Sequence, residues 1–161
     1  MQSNKEYFIR LMLHPVKFRM FLFSKLPAAF FSGVRLKTID ETKAVVTVPY
    51  KWFSQNPFKS TYFACLAMAA EMSTGLLAMM NTYKRNPAVS MLVTGLEAAY
   101  FKKATGITMF NCDQGLALNQ TIEEAIATGQ GKIITIKSTG KNDKGELVAE
   151  FFITWSFKVK K

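Results

Sequence analysis

The chain has 161 residues, 49% of them hydrophobic, including fourteen Phe and nine Met. That length and apolarity suffice for a substantial core in one folded unit and exclude an intrinsically disordered chain. Twenty-one Lys and Arg against eleven Asp and Glu give a net charge of +10, which suits an anionic partner (a phosphate-bearing ligand, an acidic protein, nucleic acid or an anionic membrane) or a solvated basic surface.

Residues 5–31 read as a helical lead rich in Phe, Met and Leu. Tyr7, Phe8, Leu11 and Met12 share one face of a short helix ending near His14-Pro15. Pro15 opens a second helix, with Phe18, Phe21, Leu22 and Leu26 on one face. Pro27 and Gly33 then punctuate a loop. Residues 34–39 and 44–50 alternate as two strands around the turn 40–43, and Asn56-Pro57 marks a further loop. Ser60 or Thr61 can cap a long helix that stops before Asn86-Pro87. Residues 89–101 and 106–113 are two more strands. Thr121-Ile-Glu-Glu124 is a capping box opening a short helix that ends at Gly129. Residues 132–138 and 146–159 form a hairpin around 142–145. The expected organisation is one domain, 1–161, with a helical lead over 1–32 and a core over 33–161. A mostly antiparallel sheet curling around one apolar helix is the packing solution for such elements.

The long helix carries the most informative feature. From Ser60 to Tyr83, twenty-four residues hold one charged side chain, Glu71. A stretch this apolar should be buried, and a buried carboxylate is costly unless it is paired, hydrogen-bonded or protonated. The segment is long enough to span a bilayer. Its Ala, Gly, Ser and Thr content is only weakly hydrophobic, and a central Glu adds roughly 2.5–3.5 kcal/mol to insertion, so a membrane span is not expected. At helical spacings of three and four from Glu71 lie Ser60, Ala64, Ala67, Thr74 and Ala78, all small, which permits close approach of a backbone or a slender ligand. Two readings stand: a packing seam in which Glu71 pairs with a Lys or Arg, and a reactive carboxylate.

Other chemistry is sparse. Cys65 and Cys112 have neither zinc spacing nor a disulfide framework, and Cys65 reads as a small core residue. His14 is the only histidine, which leaves little for a Ser-His-Asp or Cys-His arrangement. No metal site, P-loop or dinucleotide-binding glycine pattern is present. Basic residues are dispersed without an RNA-binding signature, so nucleic acid is not expected. Cations interrupt every apolar run near the N-terminus, and no secretory pattern is visible, so a cytoplasmic location is expected. The basic, Phe-rich residues 5–31 suit either packing over the sheet or a lipid surface.

Several weak motifs in the right order carry a family resemblance. Asn56, Tyr62-Phe63-Ala64 and Ala70-Glu71 match the positions of an Asn, a His-Gly-Gly and an Ala-Asp/Glu in the phenylacetic-acid-type branch of hotdog-fold acyl thioesterases. Tyr100-Phe-Lys-Lys-Ala-Thr-Gly106 resembles that branch's Tyr-Leu-Arg-Pro-Ala-x-x-Gly strand, and Gly145-Glu-Leu-Val-Ala149 its Gly-x-Leu-Val-Ala hairpin. The N-terminal helices and the insert around 121–129 resemble a related branch of hotdog domains with no assigned activity. The departure is Tyr62-Phe63-Ala64 in place of His-Gly-Gly.

The resemblance implies an α+β hotdog fold, a curved antiparallel sheet wrapped around a long central helix. It implies hydrolysis of an acyl-CoA or an acyl carrier protein thioester. Glu71 would be general base or nucleophile, the Phe63 and Ala64 amides an oxyanion hole, and Asn56 a positioning group. Substrate contacts would come from Tyr62, from Met68 and Met72 (or these fill the core), and from Lys102 and Lys103 at coenzyme A phosphates (or these are plain surface charge). No cofactor is expected beyond the coenzyme A of the substrate. The alternative is a hotdog domain that binds acyl groups or acyl-CoA without hydrolysis. Ala64 and Glu71 are about 10 Å apart along a helix rising about 1.5 Å per residue, and Glu leans toward the helix N-terminus, recovering only part of that distance. One chain therefore should not place both groups on one carbonyl, whereas antiparallel helices in a homodimer, or in a tetramer built from two such dimers, can.

Overall fold

The computed structural model describes residues 3–160; residues 1, 2 and 161, the ends of the expected single unit, lie outside it. The lead holds three helices where the sequence predicts two. Helix α1 (Asn4–Leu13) starts from a capping box in which the Ser3 hydroxyl accepts from the Glu6 amide and the Glu6 carboxylate accepts from the Ser3 amide. Helix α2 (Pro15–Lys25) follows directly. Pro27, expected in a loop, instead opens the short helix α3 (Pro27–Phe31). Its fixed φ suits the first helical position, where a missing amide costs nothing. Phe8, Met12, Phe18, Leu22 and Ala29 anchor the three helices in the core.

Strands β1 (Arg35–Ile39), β2 (Ala44–Val48), β3 (Val89–Tyr100), β4 (Thr108–Cys112), β5 (Lys132–Lys141) and β6 (Leu147–Val159) form one antiparallel sheet in the order β1-β2-β4-β5-β6-β3. Along β6 every second side chain from Ala149 to Phe157 is buried, the period of a strand with one face on a core. The 142–145 turn joins β5 to β6 as expected, with Gly145 at φ 79°, a conformation glycine adopts without steric cost.

Helix α4 (Phe63–Thr82) lies across the inner face of this sheet, with α1, α3 and α5 (Gly115–Thr128) against its other sides. Leu66, Met72, Leu76, Leu77 and Met80 are buried. Two polar links fix its roll on the sheet: the Ser73 and Ser138 hydroxyls share a hydrogen bond of 2.8 Å, and the Trp155 indole N–H donates to the Thr74 hydroxyl at 3.0 Å. Among the described residues α4 is the one helix long and apolar enough to cross a membrane, and two thirds of its most apolar stretch is buried inside the fold.

Helix α5 begins well before the predicted capping box. Thr121 sits inside it and donates to the Ala117 carbonyl instead of capping. What sets the start is Gly115, whose amide donates to the Thr42 carbonyl at 2.8 Å. A Cβ at Gly115 would fall 2.2 Å from the Glu41 carbonyl oxygen, so only glycine lets α5 dock on the β1–β2 turn. The helix ends as expected at Gly129, in the left-handed conformation. Replacing Gly115 with Ala should destabilise the fold by about 2–3 kcal/mol, the scale of overpacking against backbone that cannot yield. Urea unfolding of Gly115→Ala against wild type checks this, with Gly106→Ala as the control, since open space surrounds a Cβ there.

Candidate active site

The start of α4 is uncapped. Tyr62 stands at the N-cap position in an extended conformation (φ −62°, ψ 136°), and no side chain accepts from the first turn. Ser60 and Thr61, the expected caps, point elsewhere. The Ser60 hydroxyl donates to Asn56 Oδ1, and the Thr61 hydroxyl to the Ala104 carbonyl. The amides of Phe63 and Ala64 have no acceptor among the described residues, whereas those of Cys65 and Leu66 reach the Tyr62 carbonyl. Two N–H groups at the positive end of a twenty-residue helix are thus open to an anion.

Asn56 builds this end. Its Oδ1 accepts from the amides of Phe58 and Ser60 as well as from the Ser60 hydroxyl, and its side-chain amide faces the Thr61 carbonyl at 3.4 Å. It therefore shapes the 56–61 loop, with its side-chain oxygen already committed to protein donors. A cavity of about 430 Å³ opens here, lined by Asn56, Tyr62, Phe63, Tyr100, Lys102 and Lys103 with neighbouring residues. Lys102 is drawn to Glu146 at 2.6 Å. Lys103 donates only to the Phe58 carbonyl, at 3.3 Å, and is the freer cation.

Glu71 lies two turns along the same helix, in a different cavity. That space, about 230 Å³, is walled by Met68, Glu71 and Met72 of α4 and roofed by Lys25 to Ala29 at the α2–α3 junction. Glu71 is half-buried, not fully buried as its apolar neighbours suggest. Its carboxylate makes no hydrogen bond and no ion pair with any described residue, and desolvation alone pushes its pKa above the ordinary 4.5. The side chain also leans the other way from the expected tilt. A Cβ on Gly75 would sit 3.0 Å from Glu71 Oε1 and 3.3 Å from the Trp155 ring, so the carboxylate reaches toward the next turn, into room that glycine leaves.

The small-residue stripe divides accordingly. Ala64 and Ala67, with Met68 and Glu71, remain partly open, whereas Thr74 and Ala78 face the core. Met72 is buried and Met68 half-buried. Ala64 lines neither cavity. Asn56, Tyr62, Phe63, Lys102 and Lys103 thus gather at the helix start, and Glu71, Met68 and Met72 gather two turns away. Sequence reasoning missed the Lys25–Ala29 roof, which depends on the docking of α3, and Trp155, which only tertiary packing brings to Gly75. Gly75, one turn after Glu71, was the available signal. Both cysteines are buried, and burial pushes Cys112 up to about 11, which removes it as a nucleophile near neutral pH.

Residues 17–157 match the family model described as a domain of unknown function, DUF4442. The chain belongs to that family. Solved structures place the family's fold. A protein of unknown function from Pseudomonas aeruginosa, described as a probable thioesterase, superposes with a TM-score of 0.75 at 18% identity over 93% of this chain and 99% of its own. A protein of unknown function from Chlorobaculum tepidum gives 0.77 at 17% identity over 98% of both chains. The PaaI protein of the E. coli phenylacetic acid degradation operon gives 0.63 at 13% identity over 94% and 96%. The fold of this DUF4442 chain is therefore the hotdog fold of thioesterase-like proteins. A comparison with curated proteins finds no match.

The state of Glu71 has a consequence for stability. A raised carboxyl pKa means that folding favours the protonated form. That contribution is fully present below the ordinary 4.5 and is lost as pH rises through the folded-state pKa. Glu71→Gln should therefore melt above wild type at neutral pH, with the gap closing as the medium is acidified below that ordinary value. Thermal melts across pH check this; a Gln protein less stable at neutral pH would show that the carboxylate has a cationic partner.

Proposed function

We propose that this DUF4442 protein is a homodimeric hydrolase of acyl-CoA or a related acyl thioester. The observation that carries the reading is Glu71, an unpaired, partly desolvated carboxylate at the wall of an apolar cavity. Such a group is a stronger base than an ordinary solvated carboxylate and is available to a ligand. The open amides of Phe63 and Ala64 supply the complementary requirement, donors aimed at developing negative charge.

Glu71 accepts a proton from water as the water oxygen bonds to the thioester carbonyl carbon. The carbonyl π electrons move to the oxygen, held by helix N-terminal amides. Collapse of that oxyanion breaks the C–S bond, and the proton passes from Glu71 to the departing thiolate. Direct attack by the carboxylate, through an acyl anhydride that water then cleaves, uses the same residues. Met68 and Met72 contact the acyl chain, Tyr62 flanks the carbonyl, and Lys103 is better placed than the paired Lys102 to meet coenzyme A phosphates. Asn56 holds the loop that presents the amides.

The separation of the two cavities supports a site completed by a second subunit. Strand β3 supports the dimer itself. It is a twelve-residue sheet edge with Glu97 as its one charge, and its Met91 and Val93 are only half-covered. The opposite edge, β1, is five residues long with a bulge and two exposed cations, Arg35 and Lys37. Long unprotected edges invite pairing, and short charged ones resist it. An acyl-binding domain without hydrolysis is the second reading. The rings of Tyr62 and Phe63, 4.8 Å apart, favour it, because they crowd the place where glycine would admit a carbonyl.

Thiol release from a panel of acyl-CoAs tests these readings. Wild type should turn over at least one of them, and Glu71→Gln should lose roughly 10²–10⁴-fold in kcat, the usual weight of a general base. The wild-type kcat/KM should fall in acid with an apparent pKa above the ordinary 4.5. Equal turnover by both proteins would remove Glu71 from the mechanism, and binding without turnover would establish the second reading.

A further inference from the structure

Helix α2 is apolar on two opposite faces. Phe18 and Leu22 point into the core, while Val16, Met20 and Phe23 point outward and are 58–66% exposed. A helix covered on one side normally turns polar residues to the other. The outward residues do not stand alone. Ring centroids link Phe23 to Phe31 at 6.3 Å, Phe31 to Phe53 at 5.5 Å, and Phe53 to Trp52 at 4.9 Å. Three separate elements, α2, α3 and the 3₁₀ turn Trp52–Ser54, thus contribute to one aromatic ridge. Trp52 at its end is 76% exposed. Contiguous exposed apolar surface of this kind marks an interaction site.

Charge decides what it meets. From residue 7 to residue 39 the chain has six Lys or Arg and no Asp or Glu, and from 42 to 70 three Lys and again no acid. Lys17, Arg19, Lys25 and Lys51 flank the ridge in sequence, and none has a carboxylate partner among the described residues. The Arg19 guanidinium lies over the Phe30 ring at 4.7 Å, beside the ridge. A second copy seated here about a twofold axis would bring cations against cations without a compensating acid. An anionic bilayer surface complements both properties: the ridge inserts at the level where Trp and Phe are favoured, and each flanking cation gains from the negative leaflet.

We infer that the α2–α3 face, with Trp52 and Phe53, docks this protein on anionic phospholipid surfaces. The docking does not depend on hydrolytic activity. It would bring the membrane surface beside the Glu71 cavity, whose roof is the same α2–α3 junction.

The two tryptophans make the test direct, because Trp155 is 4% exposed and Trp52 is the one free to change environment. Wild type is mixed with vesicles of phosphatidylcholine alone, and with vesicles that also contain phosphatidylglycerol. Flotation and tryptophan emission are recorded at low and high salt. The expected result is partitioning at least about tenfold stronger to the phosphatidylglycerol vesicles, weakened by salt. A blue shift of the emission should accompany it. Phe23→Ser/Phe53→Ser and Lys17→Glu/Lys51→Glu should each lose most of the binding while keeping the wild-type melting curve and molar mass. No binding to phosphatidylglycerol vesicles by wild type would overturn the inference. So would undiminished binding by two folded variants, or a ridge variant that reduces the molar mass in solution, which would assign the ridge to a second copy.

Discussion

Everything in this structure follows from having to cover α4. A twenty-residue helix with one charged side chain cannot stand in water. The sheet must wrap around it, and α1, α3 and α5 must close the sides the sheet leaves. The constraint has a useful by-product. A helix held this firmly carries its N-terminal amides and its one carboxylate on a rigid rod, so their separation is fixed by helix rise and not by loop conformation. The hydroxyl pair Ser73–Ser138 and the indole bond from Trp155 to Thr74 then decide which face of the rod looks outward.

Two groups that would be satisfied in an ordinary core helix are left open here. The first-turn amides lack a side-chain cap because Ser60 and Thr61 are engaged by Asn56 and the Ala104 carbonyl. Glu71 lacks a cation although Lys25 lines the same cavity. A helix stabilised so strongly by burial tolerates both omissions. Together they give one donor pair and one base at opposite ends of a two-turn interval, too far apart for one carbonyl in one chain. The unprotected β3 edge is the complementary feature, since it offers a place for a second copy.

Much of the architecture was legible because apolar periodicity and turn residues are local signals. The positions of the strands along the chain, the long helix, the 142–145 hairpin and the Gly129 stop are all written in neighbouring residues, whereas the order in which the strands pair is not. The misread points share a cause: a side chain with two uses took the tertiary one. Thr121 and Glu124 have the spacing of a capping box, but Gly115, forced by the approach of the Glu41 carbonyl, starts α5 earlier. Ser60 and Thr61 are good caps by type, yet each finds a partner outside the helix. At the site, the distance of Glu71 from the first-turn amides was foreseeable from helix rise, whereas Asn56, Lys102 and Lys103 lie outside the helix and were named as site residues only through the family resemblance. The tilt of Glu71 toward Gly75 and the α2–α3 roof over it were not foreseeable, because both arise from side-chain packing and from how the lead docks.

Subunit complementation measures whether one subunit's Glu71 works with the other subunit's helix amides, as proposed. Phe63→Pro removes one of those amides while leaving the helix startable, because Pro is tolerated at the first helical position and Tyr62 before it is already extended. Phe63→Pro and Glu71→Gln homodimers should each be nearly inactive in thiol release. After co-refolding, half of the dimers should be mixed, each with one intact composite site, and turnover should return to about a quarter of wild type. Mixed dimers that form but stay as inactive as their parents would rule out a site shared between subunits.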